Sequence, residues 1–481
     1  MSIVITVSQR QFTCIRCIGI SGGFFAMTRD EAISLLEMPR EQAIEAILKL
    51  AEKAEKYNLV TYDPGPTAPS GMIPPYLKAS CDKSVKKPGQ PTGHPGSCRI
   101  RPTKIDETIP HELCQCPECG TPVNRPVRVH RRVIEDIPPI EPRVTEHIVN
   151  GYWCSKCKKI VTAKVSEALP NASIGLRLVV FTAWLHYLVG VSIDNLVSML
   201  SVLSSVKISP GGLTQAWNAL ARHLWYGYEA IGQRAAKSAV LHADETGWRL
   251  NGVTHWLWCF TTKSICYYVI TKSRGSPVVK QVLGLIFKGI LICDFWGAYN
   301  KISTLATQRC FYHLFTELVK VDKHNSSENW KAFRKKLSQL MKDAIHLSED
   351  KGIGTQQRDR LIVRLHIRLD EMIAGQYEDK DAKRLIKRLS RHKNELFTFL
   401  EYTGVSPYNN HAEQQMRKAV LCRKVSQQNR SESGAVTQAV LMTLFRTAEL
   451  QNQNPVETVL AVAKSTIEMR KPNMPEFKLA A

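Results

Sequence analysis

The sequence lacks a hydrophobic run long enough to cross a membrane. A transmembrane helix needs about 20 apolar residues, whereas the stretch 176–191 is shorter and contains Arg177 and His186. This stretch therefore predicts a buried helix. The first 25 residues contain apolar patches, but Arg10 and Arg16 interrupt them and no A-x-A-like cleavage site follows. We interpret them as neither a leader nor a membrane anchor, and we expect a soluble cytoplasmic protein.

A regular helical pattern begins only after Met27. We hypothesise that the native protein starts at Met27 and that residues 1–26 are a wrongly assigned leader. A peptide covering Ser2 to Arg16, detected by mass spectrometry of the natively expressed protein, would refute this hypothesis.

Acidic residues are scarce relative to basic ones. The chain has 65 Lys and Arg against 43 Asp and Glu, which gives a formal charge of +22. Such an excess indicates a polyanionic partner, and both nucleic acid and an anionic membrane surface fit it. The length of 481 residues exceeds what a single core usually organises and predicts about three domains.

The N-terminal part divides into a helical segment and a linker. Residues 27–61 have a helical apolar face, which favours packing on neighbouring segments over self-association because the heptads are too few for a coiled coil. Residues 62–105 are rich in Pro, Gly and Ser and include Lys86 and Lys87, a composition typical of a flexible basic linker. This linker is either a spacer or a source of loose phosphate contacts.

The chain has 14 cysteines, several of them in C-x-x-C pairs. Without a signal peptide, this usage favours metal binding in a reducing cytosol over disulfides. Two pairs have the spacing of a structural zinc site: Cys116, Cys119, Cys154 and Cys157. Cys114 is an alternative ligand. The β-rich run 127–149 between the pairs predicts short strands, so residues 106–165 are interpreted as a zinc ribbon.

Residues 166–236 predict three helices with little strand signal, at about 178–188, 193–203 and 213–231. Three helices joined by short turns fit a helix-turn-helix reader of DNA. A plain helical support for the following domain fits equally well.

Apolar runs bounded by polar turns begin at Ala239. They predict three strands, the first ending at Asp244, then a helix over 275–287 and a fourth strand ending at Asp294. Each acid also fits a simple turn or cap residue. Carboxylates are nevertheless the ligands that Mg²⁺ prefers, and two Mg²⁺ ions serve the attacking and leaving oxygens of a phosphodiester.

A third acid follows a long helical segment. Glu413 stands in the first turn of a helix that Asn409 or Asn410 is predicted to cap. A glutamate there also fits a residue favoured by the helix dipole. Glu395 and Glu401 are the next candidates for the third acid.

Five motifs together resemble the insertion-sequence-66 family of bacterial transposases. They are Asp244-Glu245-Thr246, Trp256-Leu257-Trp258, Asp294 with Ala298-Tyr299, Cys310-Phe311-Tyr312-His313, and Asn409-Asn410-His411-Ala412-Glu413. The resemblance extends from about Lys86 to Thr458, and the order of the motifs is more specific than any one of them.

The resemblance implies a multidomain α+β protein with an RNase H-like α/β catalytic core. The core would occupy 237–314 and 405–450, with a helical insertion over 315–404 between them and a C-terminal helical segment over 451–481. Asp244, Asp294 and Glu413 would be the DDE acids that hold two Mg²⁺ or Mn²⁺ ions, and the ribbon would hold one structural Zn²⁺. The implied partners are the terminal repeats of the element, target DNA, a second copy of the chain, and accessory proteins of the same element.

Two features of the chain depart from the family pattern or lack a clear role. A basic residue usually follows the motif glutamate, whereas here Gln414 and Gln415 precede the candidate DNA contacts Arg417 and Lys418. The pair Cys310 and His313 has a metal-like spacing but no second pair nearby, so we favour a structural or DNA-positioning role for it.

We therefore predict a transposase of a bacterium or archaeon that cleaves DNA at the ends of its element and joins the freed 3′ hydroxyl to target DNA. A zinc-containing DNA-binding regulator with a decayed acidic site is one alternative. An RNase H-like nuclease without strand transfer is another, because its chemistry is the same.

Overall fold

The computed structural model describes residues 15–18, 24–27, 39, 102–350, 352–426 and 429–468, the first two ranges as backbone only. The chain divides into two compact units, Met1–Lys78 and Ala79–Ala481. In the first unit, β1 (Ile15–Ile18) pairs antiparallel with β2 (Phe24–Met27). The helix expected over 27–61 lies outside the described residues, apart from Pro39 and residue 27, and so does the linker expected over 62–105, including Lys86 and Lys87, apart from residues 102–105.

The cysteine-rich segment of the second unit contains one hairpin. Its strands are β3 (Gly151–Cys154) and β4 (Lys159–Thr162), and Cys154 and Cys157 stand at their connection. The strands expected over 127–149 were a wrong prediction: all these residues are described, and none lies in a strand. Their β-branched side chains, Val127 among them, are exposed except for the half-buried Val133, so β-propensity has little packing surface to act on.

The helical region contains four α-helices rather than three: α1 (Leu176–Trp184), α2 (Ile193–Ser204), α3 (Pro210–His223) and α4 (Trp225–Ala236). A π-helical turn at Leu185–Val189 extends α1 and ends at Gly190, whose φ is +91°. Ser192 and Ser209 cap α2 and α3 by accepting hydrogen bonds from backbone N–H groups. The third predicted helix is divided at Leu224 into α3 and α4.

A five-stranded mixed sheet forms the centre of the second unit, in the order β7-β6-β5-β8-β9. The strands are β5 (Val240–Leu250), β6 (Val253–Thr261), β7 (Cys266–Thr271), β8 (Ile286–Cys293) and β9 (Ser303–Arg309). The first three form antiparallel hairpins, and β5, β8 and β9 are parallel. Helix α5 (Ser276–Leu283) connects β7 to β8. It is shorter than the helix predicted over 275–287, because β8 already begins at Ile286.

Five helices follow β9 in the chain: α6 (Phe311–Asp322), α7 (Glu328–Glu349), α8 (Thr355–Ala374), α9 (Lys380–Arg391) and α10 (Thr398–Glu401). Their apolar faces, predicted from helical periodicity, are buried in one core, which includes Trp330, Leu365 and Leu385. Ile290 and Ile292 of β8 belong to the same core. The helices therefore pack directly on the sheet.

Three C-terminal helices complete the unit: α11 (Asn410–Ser426), α12 (Glu432–Leu450) and α13 (Pro455–Glu468). Helix α12 covers the edge strand β7, because the N–H groups of Cys266 and Tyr268 donate to the hydroxyls of Thr447 and Thr443 (3.1 and 3.0 Å). A covered edge cannot pair with another chain. Within the described part of the chain, none of the helices combines the length and apolarity that crossing a bilayer would require.

Candidate active site

Asp244 and Asp294 lie beside each other where the parallel pairing of β5 and β8 ends. The ladder pairs Val240 with Ile290 and ends with His242 and Ile292. The same register, continued by two residues, places Asp244 opposite Asp294. Neighbouring strands are about 4.8 Å apart, so the two carboxylates share the carboxyl end of this strand pair.

The position of Asp244 differs from the sequence prediction in one respect. Asp294 follows the last residue of β8, as expected, but Asp244 lies in the middle of β5. Strand β5 leaves β8 after His242 and continues as a long hairpin with β6, up to Leu250. Antiparallel pairing on one side therefore holds Asp244 rigidly, while the ladder with β8 on the other side does not reach this residue.

Negative charge accumulates around Asp244. Burial raises the pKa of its carboxyl well above the usual range, and the carboxylates of Glu245, Asp294 and Glu413 raise it further by repulsion. The first turn of α11 therefore brings Glu413 close enough to act on Asp244. Such a concentration of carboxylates is stabilised by a bound cation.

Asn409 fixes the start of α11 against β5. Its side chain is fully buried, and its Nδ2 donates to the carbonyl oxygen of Ala243 (2.8 Å). His242 Nδ1 donates to Asn409 Oδ1 (3.1 Å), and the backbone N–H of Asn409 donates to the Cys310 thiol (3.1 Å). The amide thus binds the strand rather than capping the helix, and it fixes Glu413 relative to Asp244.

His411 makes a second connection between α11 and the sheet. Its Nε2 lies 2.7 Å from the carbonyl oxygen of Thr262 and 3.3 Å from the hydroxyl of Thr261. Because a carbonyl only accepts hydrogen bonds, Nε2 is the protonated nitrogen. The two side chains that flank Asn410 in the motif therefore both orient the helix that contains Glu413.

The backbone around Asp294 is held by a buried arginine. Arg309, at the end of β9, is 1% exposed and donates to the carbonyl oxygen of Asp294 (2.7 Å) and to Asn300 (2.6 Å). Its guanidinium is paired with Glu395 at 2.5 Å. The carboxylate of Asp294 itself accepts from the backbone N–H of Trp296 (2.8 Å). Arg309 was not identified from the sequence, because a buried arginine at a strand end has no local signal.

Glu245 is the centre of a second cluster that the sequence did not predict. Its carboxylate accepts from Arg274 (3.0 Å) and from the hydroxyl of Tyr299 (2.6 Å). The guanidinium of Arg274 lies over the rings of Trp256 and Trp296, 4.4 and 3.9 Å from their centroids. Burial raises the pKa of Glu245 to about 7, with repulsion from Asp294 the next cause. This cluster supports the segment that follows Asp294.

A compact group of metal-ligating atoms among the described residues differs from the set predicted. One ligand atom from each of Cys310, His313 and Glu413 lies within 4.8 Å of the others. The three acids do not form a group of this compactness. Two metal ions about 3.5 to 4 Å apart need ligands spread over a wider space than a single ion does, so the wider spacing is compatible with a two-ion site.

A buried atom of Glu413 fits a cation. Its Oε1 is inaccessible to solvent and has no hydrogen-bond partner within the described ranges. An unsatisfied carboxylate oxygen costs free energy unless a donor or a cation faces it. Together with the repulsion at Asp244, this observation shows that the donor set suits a hard divalent ion.

The four cysteines predicted to bind zinc form two separate C-x-x-C turns. Cys116 and Cys119 are joined by a turn in which the N–H of Gly120 donates to the carbonyl of Cys116 (2.9 Å), and the N–H of Cys157 donates to the Cys154 sulfur (3.4 Å). Each turn places two thiols on one side, as a zinc site requires. All four thiols are free of disulfides, as is that of Cys114.

The basic candidates on α11 are at the surface. Arg417 and Lys418 are exposed, two turns of helix or less from Glu413. The residue straight after the motif glutamate, Gln414, is exposed, and nothing in the structure explains why it is not basic. Gln415 is buried, and its Oε1 accepts from Arg446 (2.5 Å).

The two alternative third acids are already engaged in ion pairs. Glu395 is bound to Arg309 and to His392 (2.9 Å), and Glu401 lies 3.3 Å from His366. The carboxylate of Glu413 raises the pKa of Asp244 by repulsion, and neither Glu395 nor Glu401 is among the main causes of this shift. The geometry therefore favours Glu413.

Two protein-family models match the chain. The protein-family model described as transposase IS66 family matches residues 172–437, and the model described as the zinc-finger binding domain of transposase IS66 matches residues 114–158. A search of curated proteins gave no match. The second match supports a structural zinc in the cysteine-rich segment. Because the first match covers more than half of the chain, this chain belongs to the IS66 family of transposases.

Proposed function

We propose that the chain is a DDE transposase that cleaves DNA strands at the ends of its own element and joins the freed 3′ hydroxyls to target DNA. The observation that carries the proposal is the meeting of Asp244, Asp294 and Glu413 at the carboxyl end of the parallel strands, where Asn409 links strand and helix. The mixed sheet would be the RNase H-like core, and the helices between β9 and α11 would be its helical insertion.

Asp244, Asp294 and Glu413 are proposed to hold two Mg²⁺ or Mn²⁺ ions. The buried, unpartnered oxygen of Glu413 and the crowded charge around Asp244 support this assignment. The ions would supply activation of the attacking oxygen and stabilisation of the leaving oxygen. Strand transfer would then need no covalent bond between protein and DNA.

The surrounding residues would position the acids. Asn409 and His411 fix Glu413, while Arg309 holds the backbone of Asp294. The supports come from strand ends and helix starts, which hold ligands more rigidly than loops do. Arg309 also places a permanent positive charge behind the backbone of Asp294, on the side away from the proposed ions.

The remaining parts are proposed to bind DNA. The excess of Lys and Arg over the whole chain supports phosphate contacts, with Lys86, Lys87, Arg417 and Lys418 as candidates. The ribbon would hold one structural Zn²⁺ through Cys116, Cys119, Cys154 and Cys157. Helices α2 and α3 are candidates for a helix-turn-helix reader. We also propose that the chain forms oligomers on DNA and acts together with accessory proteins of the same element.

One experiment separates the transposase from its two alternatives. The full chain is incubated with Mg²⁺, a duplex ending in the inverted repeats that flank its gene, and a supercoiled target plasmid. A transposase yields nicked ends and joined products, a nuclease yields only nicked ends, and a regulator yields neither. Replacement of Mg²⁺ by Ca²⁺ and the variant Asp294→Asn serve as inactive references. Absence of joined products would contradict the proposal.

A further inference from the structure

Cys310, His313 and Glu413 belong to two helices that begin at the same place. Cys310 precedes α6, His313 is in the first turn of α6, and Glu413 is in the first turn of α11. The backbone N–H of Phe311 donates to the carbonyl of Pro407 (2.8 Å), which joins the two helix starts. One ligand atom from each of the three side chains lies within 4.8 Å of the others.

Two of these side chains contain a buried polar atom without a partner. Among the described residues there are four such side-chain atoms, and two of them are His313 Nδ1 and Glu413 Oε1. A buried imidazole nitrogen and a buried carboxylate oxygen each cost free energy when they are unsatisfied. Their occurrence in one compact group indicates a common missing partner that accepts electron pairs from both.

The surroundings of Cys310 suit a thiolate ligand. The thiol accepts a hydrogen bond from the N–H of Asn409 (3.1 Å) and stands at the N-terminus of α6, a helix of 12 residues. Both features favour a negative sulfur, whereas burial of the thiol and the nearby charge of Glu413 raise its pKa, so the thiolate forms only as a metal binds. Cys310 is fully buried, whereas His313 and Glu413 are only partly buried.

We propose that Cys310, His313 and Glu413 bind one transition-metal ion of the zinc class, with water at a fourth position. Thiolate and imidazole are ligands that Zn²⁺ prefers and Mg²⁺ does not. Ligand atoms around a tetrahedral zinc ion stand roughly 3.5 Å apart, so the cluster needs to close by no more than about 1.3 Å from its limit of 4.8 Å. Binding releases the Cys310 thiol proton to solvent as the sulfur–metal bond forms.

The shared glutamate connects this site to the proposed reaction. If Glu413 is also the third catalytic acid, a step that rests on the proposed function, then a zinc ion at the new site withdraws it from the Mg²⁺ pair. We expect micromolar Zn²⁺ to inhibit cleavage of element ends in Mg²⁺, and we expect Cys310→Ser to abolish this inhibition.

Metal content tests the site without reference to activity. The full chain, loaded with Zn²⁺ and passed through a desalting column, is analysed for metal and for protein. We expect about two zinc ions per chain, one in the ribbon and one at the new site. Cys310→Ser and His313→Gln should each lose one ion, while Cys116→Ser with Cys119→Ser should keep the new one.

Cys422→Ser is the matched control, because Cys422 is a buried thiol of α11 whose sulfur faces the backbone carbonyls of His186 and Tyr187. This variant should retain both ions. His313→Gln keeps the proposal testable if Cys310→Ser fails to fold, since His313 is partly exposed.

Cobalt substitution gives an independent signature. The full chain with Co²⁺ should show thiolate absorption from two sites, and Cys310→Ser should remove only the smaller contribution, which comes from one sulfur. One ion per chain in the parent, or two in both Cys310→Ser and His313→Gln, would overturn the site. Two ions in the parent with zinc-insensitive cleavage would overturn the sharing of Glu413.

Discussion

The variant Asn409→Ala should separate the scaffold of the site from its metal ligands. The Asn409 side chain makes a buried hydrogen bond to the carbonyl of Ala243 and a partly buried one with His242, and none of its own surface is exposed. Each such bond contributes about 1 kcal/mol net, and each buried partner left unsatisfied costs about 1 to 3 kcal/mol. We therefore expect the free energy of unfolding to fall by about 2 to 4 kcal/mol.

The same change should reduce cleavage beyond its effect on stability. Without the amide, the first turn of α11 is no longer fixed to β5, and Glu413 is free to shift relative to Asp244. A displacement of about 1 Å at a reacting centre costs roughly 10²-fold in rate. We expect a loss of this order at a temperature where the variant is fully folded.

The assay pairs chemical denaturation with cleavage of a duplex that ends in the terminal repeat. Asn410→Ala is the matched control, because Asn410 is the next residue and is exposed; it should stay within about 0.5 kcal/mol of the parent. Parental stability and parental cleavage in Asn409→Ala would refute the role given to this amide.

Three further predictions concern the zinc, the charge and the support of Asp294. Cys116→Ser with Cys119→Ser should lose the ribbon zinc and the fold around it; unchanged metal content of the ribbon would contradict this. DNA binding should weaken about 10³-fold or more between about 50 and 200 mM salt if at least six phosphates are contacted, and a flat titration would oppose phosphate contacts. Glu395→Gln removes the ion pair with Arg309 and should lower the free energy of unfolding by about 2 to 3 kcal/mol. Breaking a fully buried pair costs about 3 to 5 kcal/mol, and the loss is smaller here because Glu395 is partly exposed. The pKa of Glu395 is lowered by its hydrogen bond with His392 and by Arg309, against the effect of burial. Its stabilisation is thus present above the unfolded-state value of about 4.3 and is lost as the pH falls through the lower folded-state pKa; equal acid sensitivity of variant and parent in denaturation would contradict the pair.

The arrangement of the two aspartates could be predicted because it depends on local patterns. Apolar runs identified the strands, and acids at the ends of parallel strands meet at one edge of a sheet. The extent of β5 was missed, because the polar residues Asp244, Glu245 and Thr246 interrupt the apolar run while the hairpin with β6 continues through them. Burial of Glu245 beside Arg274 explains why a charged residue is tolerated there.

The supports of the site could not be predicted because they join distant parts of the chain. Asn409 contacts Ala243, Arg309 contacts Glu395, and His411 contacts Thr262. No propensity or periodicity encodes such pairs. The strands expected over 127–149 do not form, although the local pattern predicted them. The β-branched residues are present, but most of their side chains have no surface on which to pack.

The most direct test of the three acids is a comparison of conservative amide variants in one cleavage assay. Asp244→Asn, Asp294→Asn and Glu413→Gln keep the shape of the side chain and remove the charge that a hard cation needs. Each should nearly abolish cleavage in Mg²⁺ or Mn²⁺ while DNA binding persists. Glu245→Gln should retain more activity than Asp244→Asn, because Glu245 lies on the other side of the strand.

Exposed acids at equivalent helix positions provide matched controls. Glu432 stands in the first turn of α12, as Glu413 does in α11, and Asp194 stands in the first turn of α2. Glu432→Gln and Asp194→Asn should cleave at the parental rate. If Glu413→Gln also cleaves at the parental rate, Glu413 is not a ligand of the catalytic ions and the three-acid site is refuted.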